Sequence, residues 1–130
     1  MRIRASTRLI GAALLATSCA NPFSPTRVVP ISIQQLQLPV DVAAAGPLDG
    51  VAVAVIGGCI TLNRVEALRN GNGIRVAAFG NDAGGPGIAC TENIGYVPVS
   101  FSVAGPFAGS VVVMAVQPDG SVTSQTVPVR

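Results

Sequence analysis

The chain contains no histidine, so the side chains able to do chemistry reduce to three cysteines and six carboxylates: Cys19, Cys59 and Cys90, with Asp41, Asp49, Glu66, Asp82, Glu92 and Asp119. Without imidazole there is no Ser-His-Asp or Cys-His nucleophile and no histidine-based metal centre. Two cysteines alone do not complete a four-ligand zinc site, and Cys59 and Cys90 lie far outside C-x-x-C spacing. Asp49 and Asp119 each precede a glycine and read first as turn residues. Glu66, close behind Arg64, fits a solvated strand face. Asp82 and Glu92 bracket a glycine-rich stretch and offer oxygens to Ca²⁺, but the D-x-D-x-D-G spacing of a calcium loop is missing. Nothing in the spacing brings two acids together as a glycosidase pair. The glycines around Gly84-Gly85 lack the strand-to-helix setting of a phosphate loop. We therefore expect no catalytic residue, no metal and no cofactor.

The two downstream cysteines bracket a strand-like run (Thr61 to Leu68), a turn (Asn70-Gly71-Asn72-Gly73), a second run (Ile74 to Phe79) and the stretch Gly80 to Gly87. If they pair, they close a loop of about thirty residues, for which the chain-entropy model gives roughly 3–4 kcal/mol.

Ahead of that segment stands a leader. Met1 to Arg8 carries three arginines and no acid, and Leu9 to Ala16 is an unbroken apolar run. This is the charge and hydropathy pattern of an export signal, and the run is too short to remain as a membrane-spanning helix, which needs about 20 apolar residues. A short buried helix is the alternative. Leu15-Ala16-Thr17-Ser18-Cys19 then resembles a bacterial lipobox, the site at which lipoprotein signal peptidase cuts. The resemblance departs from the common pattern at Ala16, where leucine is usual. It implies diacylglyceryl transfer to the Cys19 thiol, cleavage before Cys19 and acylation of the new amino group. Ordinary signal-peptidase cleavage after Ala20 is the rival.

A lipidated Cys19 removes the odd thiol and leaves Cys59 and Cys90 as a disulfide pair in an oxidising compartment. Free thiols or redox switching are the alternatives. Two or more acyl chains hold a protein on a membrane where one holds it only marginally. Ala20, rather than Asp, follows the cysteine, so the resemblance directs the protein to the outer membrane of a two-membrane cell, or to the outer face of the plasma membrane otherwise.

All eight basic residues are Arg. With residues 1–18 removed, Arg27, Arg64, Arg69, Arg75 and Arg130 face six carboxylates, so the mature chain is near-neutral. That excludes the clustered positive charge of a nucleic-acid footprint. Asn21 to Pro30 holds three prolines and reads as a semi-rigid tether over residues 19–30, leaving 31–130 for the folded domain.

Within 31–130 the signals are those of strands. Ile31 to Leu38 alternates but slips phase at Gln34-Gln35, so a β-bulge there returns Ile31, Ile33, Leu36 and Leu38 to one face. An eight-residue helix is the alternative, disfavoured by Pro30 and Pro39. Val40 to Gly50 reads as loop or edge strand, with Pro47-Leu48-Asp49-Gly50 as a turn. Val51, Val53 and Val55 share a face. Asn70-Gly71 marks a hairpin. Tyr96 to Val103 alternates clearly, with Pro98 placing it at an edge. Ser110 to Gln117 reads as the central strand, Pro118-Asp119-Gly120 as a tight turn and Ser121 to Val129 as the last strand.

About seven short strands with turn signals between them suit an all-β, two-sheet antiparallel sandwich. The arrangement of Cys59, the Asn-Gly hairpin, Cys90 and the final hairpin resembles small immunoglobulin-like modules of exported bacterial lipoproteins. Antibody-type domains bury a Trp against their disulfide; this chain has no Trp, and Phe79 or Phe101 is the candidate to fill that volume. The function expected is a non-catalytic envelope module, structural or binding, held at the membrane by acyl chains on Cys19, with an envelope protein or polymer as partner. The alternative is an envelope hydrolase or a protease inhibitor. Any binding is expected first at Gly80 to Gly87 and Gly105 to Gly109, which look free of core residues.

Overall fold

Short valine- and alanine-rich runs, cut by glycine and proline, become eight strands and no helix in the computed structural model, which describes residues 26–130. They are β1 (Arg27–Ile31), β2 (Ile33–Gln37), β3 (Leu48–Gly57), β4 (Ile60–Asn70), β5 (Gly73–Asp82), β6 (Ile94–Val103), β7 (Ser110–Val116) and β8 (Val122–Pro128). The domain is all-β. The stretch read as a leader, and Cys19, lie outside the described residues. Among the described residues pairing starts at Arg27, inside the stretch read as tether, because Arg27 to Pro30 add to β5 opposite Asp82 to Phe79.

A single hydrogen-bonded path runs β2-β3-β4-β5-β7-β8, with β1 added on β5 and β6 on β3. The sheet curls because β3 and β4 touch at one register pair only, Gly57 with Ile60, and then part. From that corner β3 continues between β2 and β6, while β4 pairs along the whole of β5. The other edge of β5 is shared: β1 covers Ala78–Asp82 and β7 covers Gly73–Val76.

The expectation of a purely antiparallel arrangement fails at β5 and β7, which run parallel. The cause is a crossover. β6 ends near the Asn70–Gly73 hairpin, and the chain crosses there to start β7 beside Gly73, so both strands leave that end in one direction.

The core lies inside the curl and follows the period of two expected of half-buried strands. β5 contributes Ile74, Val76 and Ala78, β7 Val111, Val113 and Ala115, and β6 Phe101 and Val103, all buried. On β3 the inward residues are Leu48, Ala52 and Ala54, while Val51, Val53 and Val55 face out and are half-buried. The phase slip in β2 is a register shift between Ile33 and Gln35, and it buries Ile31, Ile33 and Leu36 together. Leu48, read as part of a turn, is fully buried at the start of β3. Gly50 is needed there because a Cβ would strike the Phe101 ring and Leu38.

The hairpin between β4 and β5 turns on Gly71-Asn72, with Gly71 at φ +61° and Asn72 at negative φ. Glycine first and an ordinary residue second is the type II′ pattern, not the Asn-Gly type I′ pattern. β6 lies at an edge, pairing with β3 alone, as Pro98 requires. β4 is also open along one side beyond the Gly57–Ile60 pair, and it carries Arg64, Glu66 and Arg69, charges that discourage strand-to-strand aggregation.

Candidate functional site

Four segments converge at the end of the curl opposite the Asn70–Gly73 hairpin. β3 turns into β4 through Gly58-Cys59, β5 ends at Asp82, β6 begins at Ile94 and β1 enters at Arg27. Cys59 and Cys90 form a disulfide here, with a Cα–Cα distance of 5.1 Å. The bond ties the β3–β4 corner to the long connection from β5 to β6. Backbone hydrogen bonds reinforce it: Ala83 N–H donates to the Cys59 carbonyl at 3.1 Å and Gly58 N–H to the Asn93 carbonyl at 3.2 Å. Gly57, at φ +153°, has no room for a Cβ because the Asn93 carbonyl occupies that space.

This disulfide is peripheral. Cys59 is half-buried and Cys90 exposed. Neither candidate aromatic takes the place of an antibody-type Trp against it. Phe101 packs over Gly50, toward the far end of β3. Phe79 faces outward beneath the Arg64 guanidinium, whose carbon is 4.4 Å from the ring centroid.

The two acids that bracket the glycine-rich stretch have different fates. Asp82 is the last residue of β5. It accepts the Gly84 N–H at 2.8 Å and pairs with Arg27 at 3.2 Å, so it caps the strand and pins the entering chain. Gly80 and Asn81 also belong to β5, and a Cβ at Gly80 would meet Ile60 and Ile31, so this part of the stretch is packed strand. Glu92 lines an open groove of about 400 Å³ whose other walls include Pro30, Ile31, Ile56, Ile60, Ile94 and Pro118. It is the one carboxylate in that lining. A second hollow of about 390 Å³, on the outer face of β3 and β6, holds Asp49 with Gln37, Ser100 and Ser102. Neither of these hollows pairs two carboxylates as a glycosidase would; a smaller one of about 220 Å³ is lined by both Asp41 and Asp49, with Asp41 held by Arg130 at 2.9 Å. Among the described residues, no three His, Cys, Asp or Glu side chains gather as a metal site would require.

The remaining acids serve local structure. Asp41 pairs with Arg130 at 2.9 Å and Glu66 with Arg64 at 2.7 Å. Asp119 accepts both the hydroxyl and the N–H of Ser121, at 2.7 and 2.9 Å, which hold its carboxyl below the usual carboxylate range.

Gly105 to Gly109 is not free of core residues: Phe107 is buried. Arg69 fastens the segment, donating to the carbonyls of Ala104 and Pro106 and stacking over Phe107 at 4.4 Å. Asn72 adds a bond to the Ala108 carbonyl at 2.6 Å. This end of the molecule is committed to holding itself together. The apolar groove at the disulfide end is open to a ligand, and it had no sequence signal because separate segments supply its walls.

Comparison of the chain with protein-family models, with curated proteins and with solved structures gave no match.

Proposed function

We propose that the protein is a lipid-anchored module of the bacterial cell envelope that acts without catalysis, by structure or by binding. Cys19 in Leu15-Ala16-Thr17-Ser18-Cys19, directly after a cationic segment and an apolar run, carries this proposal. The pairing of Cys59 with Cys90 supports it, because it leaves Cys19 as the one cysteine available for acyl transfer. The pairing of Arg27 with Asp82 supports it too, since few residues then separate Cys19 from that point of the folded body. In a two-membrane cell the destination is the outer membrane, and an envelope protein or polymer is the partner.

The same proposal takes the curled sheet as a two-layer body of immunoglobulin-like type. In support, β3 and β4 part after one register pair, and the β1–β2 run crosses from β5 on one side of the core to β3 on the other.

Replacing Cys19 with Ala tests the anchor. The variant is expected to move from the membrane fraction to the soluble envelope fraction, and unchanged partition would overturn the proposal.

A further inference from the structure

We infer that the disulfide end of the domain rests on the lipid surface to which the protein is anchored, with Tyr96 and Ile94 in the bilayer interface; this rests on the anchored reading above. The geometry points there because the chain enters the fold at that end. Arg27, the first residue of β1, pairs opposite Asp82, the last of β5, and its guanidinium is held by the Asp82 carboxylate. Eight residue steps separate Cys19 from Arg27. At the rise of an extended proline-rich chain they span about 25 Å. β3 runs the length of the body over ten residues, nine steps or about 30 Å. A tether shorter than the body keeps the disulfide end nearest the lipid.

That end also carries the surface an interface would take. Ile94 is 69% exposed and Tyr96 55% exposed, both on the outward face of β6, and Val28 and Ile88 are exposed nearby. The apolar groove adjoins Ile94. Tyr96 is the sole tyrosine, and a phenol suits the boundary between hydrocarbon and water. At the opposite end Arg69 and Asn72 are spent on loop carbonyls, and exposed Leu68, Val40 and Val112 sit apart on different elements. Such scattered residues are normal for a protein surface.

The contact is weak by itself. Arg27 is the arginine placed at this end, while Asp82 and Glu92 are both acidic, so anionic lipid adds nothing to the attraction. The tether makes a weak contact sufficient, because linkage raises the local concentration of the surface at the bilayer. Without the acyl chains the contact does not retain the protein, in keeping with release of the Cys19→Ala form.

The full acylated chain, reconstituted into phosphatidylcholine vesicles, provides the test. The protein has no Trp, so Tyr96→Trp, Ile94→Trp and Leu68→Trp each install a single reporter. Tryptophan at 96 and at 94 is expected to emit to the blue of that at 68, and to be quenched several-fold more by shallow nitroxide-labelled lipid. Equal quenching at the two ends overturns the inference. A blue shift at 96 without lipid quenching assigns the surface to contact between copies of the chain and overturns it as well. Mass measurement of the same preparation separates the two proposals: an acylated chain with no quenching contrast overturns this one alone, and an unacylated chain overturns both.

Discussion

The Gln117 carboxamide bonds both backbone groups of Ile33: the Ile33 N–H donates to Oε1 at 3.0 Å, and Nε2 donates to the Ile33 carbonyl at 2.9 Å. One side chain therefore stands in for a strand partner along the edge of β2. Gln125 adds a bond to the Leu36 carbonyl at 3.2 Å. Through these contacts the curl closes on the β8 side without a further ladder.

Removing that clip is costly because the Ile33 groups are partly buried. Gln117→Leu leaves both without a partner, and each unsatisfied group costs about 1–3 kcal/mol. We expect a fall in stability of about 2–6 kcal/mol for the two groups together, measured by urea unfolding with an unchanged m-value. A smaller change would mean that water reaches Ile33.

The disulfide constrains the connection from β5 to β6 more than the core. Cys59→Ser with Cys90→Ser is expected to lower stability by about 3–4 kcal/mol on the chain-entropy model. Limited proteolysis of the double variant should begin between Ala83 and Asn93. Cleavage elsewhere first would contradict the placement of the staple.

Gly80 has ordinary backbone geometry, so its requirement is one of space. A Cβ there would lie 2.7 Å from Ile60 Cγ2 and 2.9 Å from both Ile31 Cγ2 and the Thr61 carbonyl oxygen. Gly80→Ala should destabilise by about 1–3 kcal/mol through overpacking. Thermal unfolding checks it, and a neutral result would show that β1 and β4 can move apart.

The Asp119 carboxyl is held below its usual range first by the Ser121 hydroxyl and then by the Ser121 N–H. Its folded pKa is lower than its unfolded one, so the stabilisation is complete above about pH 4 and disappears as pH falls through the folded value. The group is fully exposed, so the effect is small. The stability difference between the protein and Asp119→Asn should shrink on acidification. NMR titration of the Asp119 carboxyl should give a midpoint below that of an unstructured aspartate.

Local patterning carried much of this fold. The slip at Gln34-Gln35 foretold the bulge because a period of two admits no other way to bury Ile31, Ile33 and Leu36 together. Pro98 marked an edge because it lacks a ladder donor. The parallel contact of β5 with β7 was hidden, since Ser110–Val116 reads the same whichever way its neighbour runs. Leu48 and Gly80 were misplaced for a related reason. Gly50, two residues after Leu48, and Gly80 itself looked like turn glycines, whereas the first makes room for Phe101 and the second for Ile31 and Ile60. The groove was invisible because Pro30, Ile60, Ile94 and Pro118 meet only in three dimensions. Arg69 gave no warning either, as its loop carbonyls come from Ala104 and Pro106.

The most direct test of the anchored module is the mass of the mature N-terminal peptide from protein extracted from membranes. The account predicts a chain that begins at Cys19, bearing a diacylglyceryl thioether and an acylated amino group. A chain that begins at Asn21, or one that keeps residues 1–18 with a free Cys19 thiol, would contradict it.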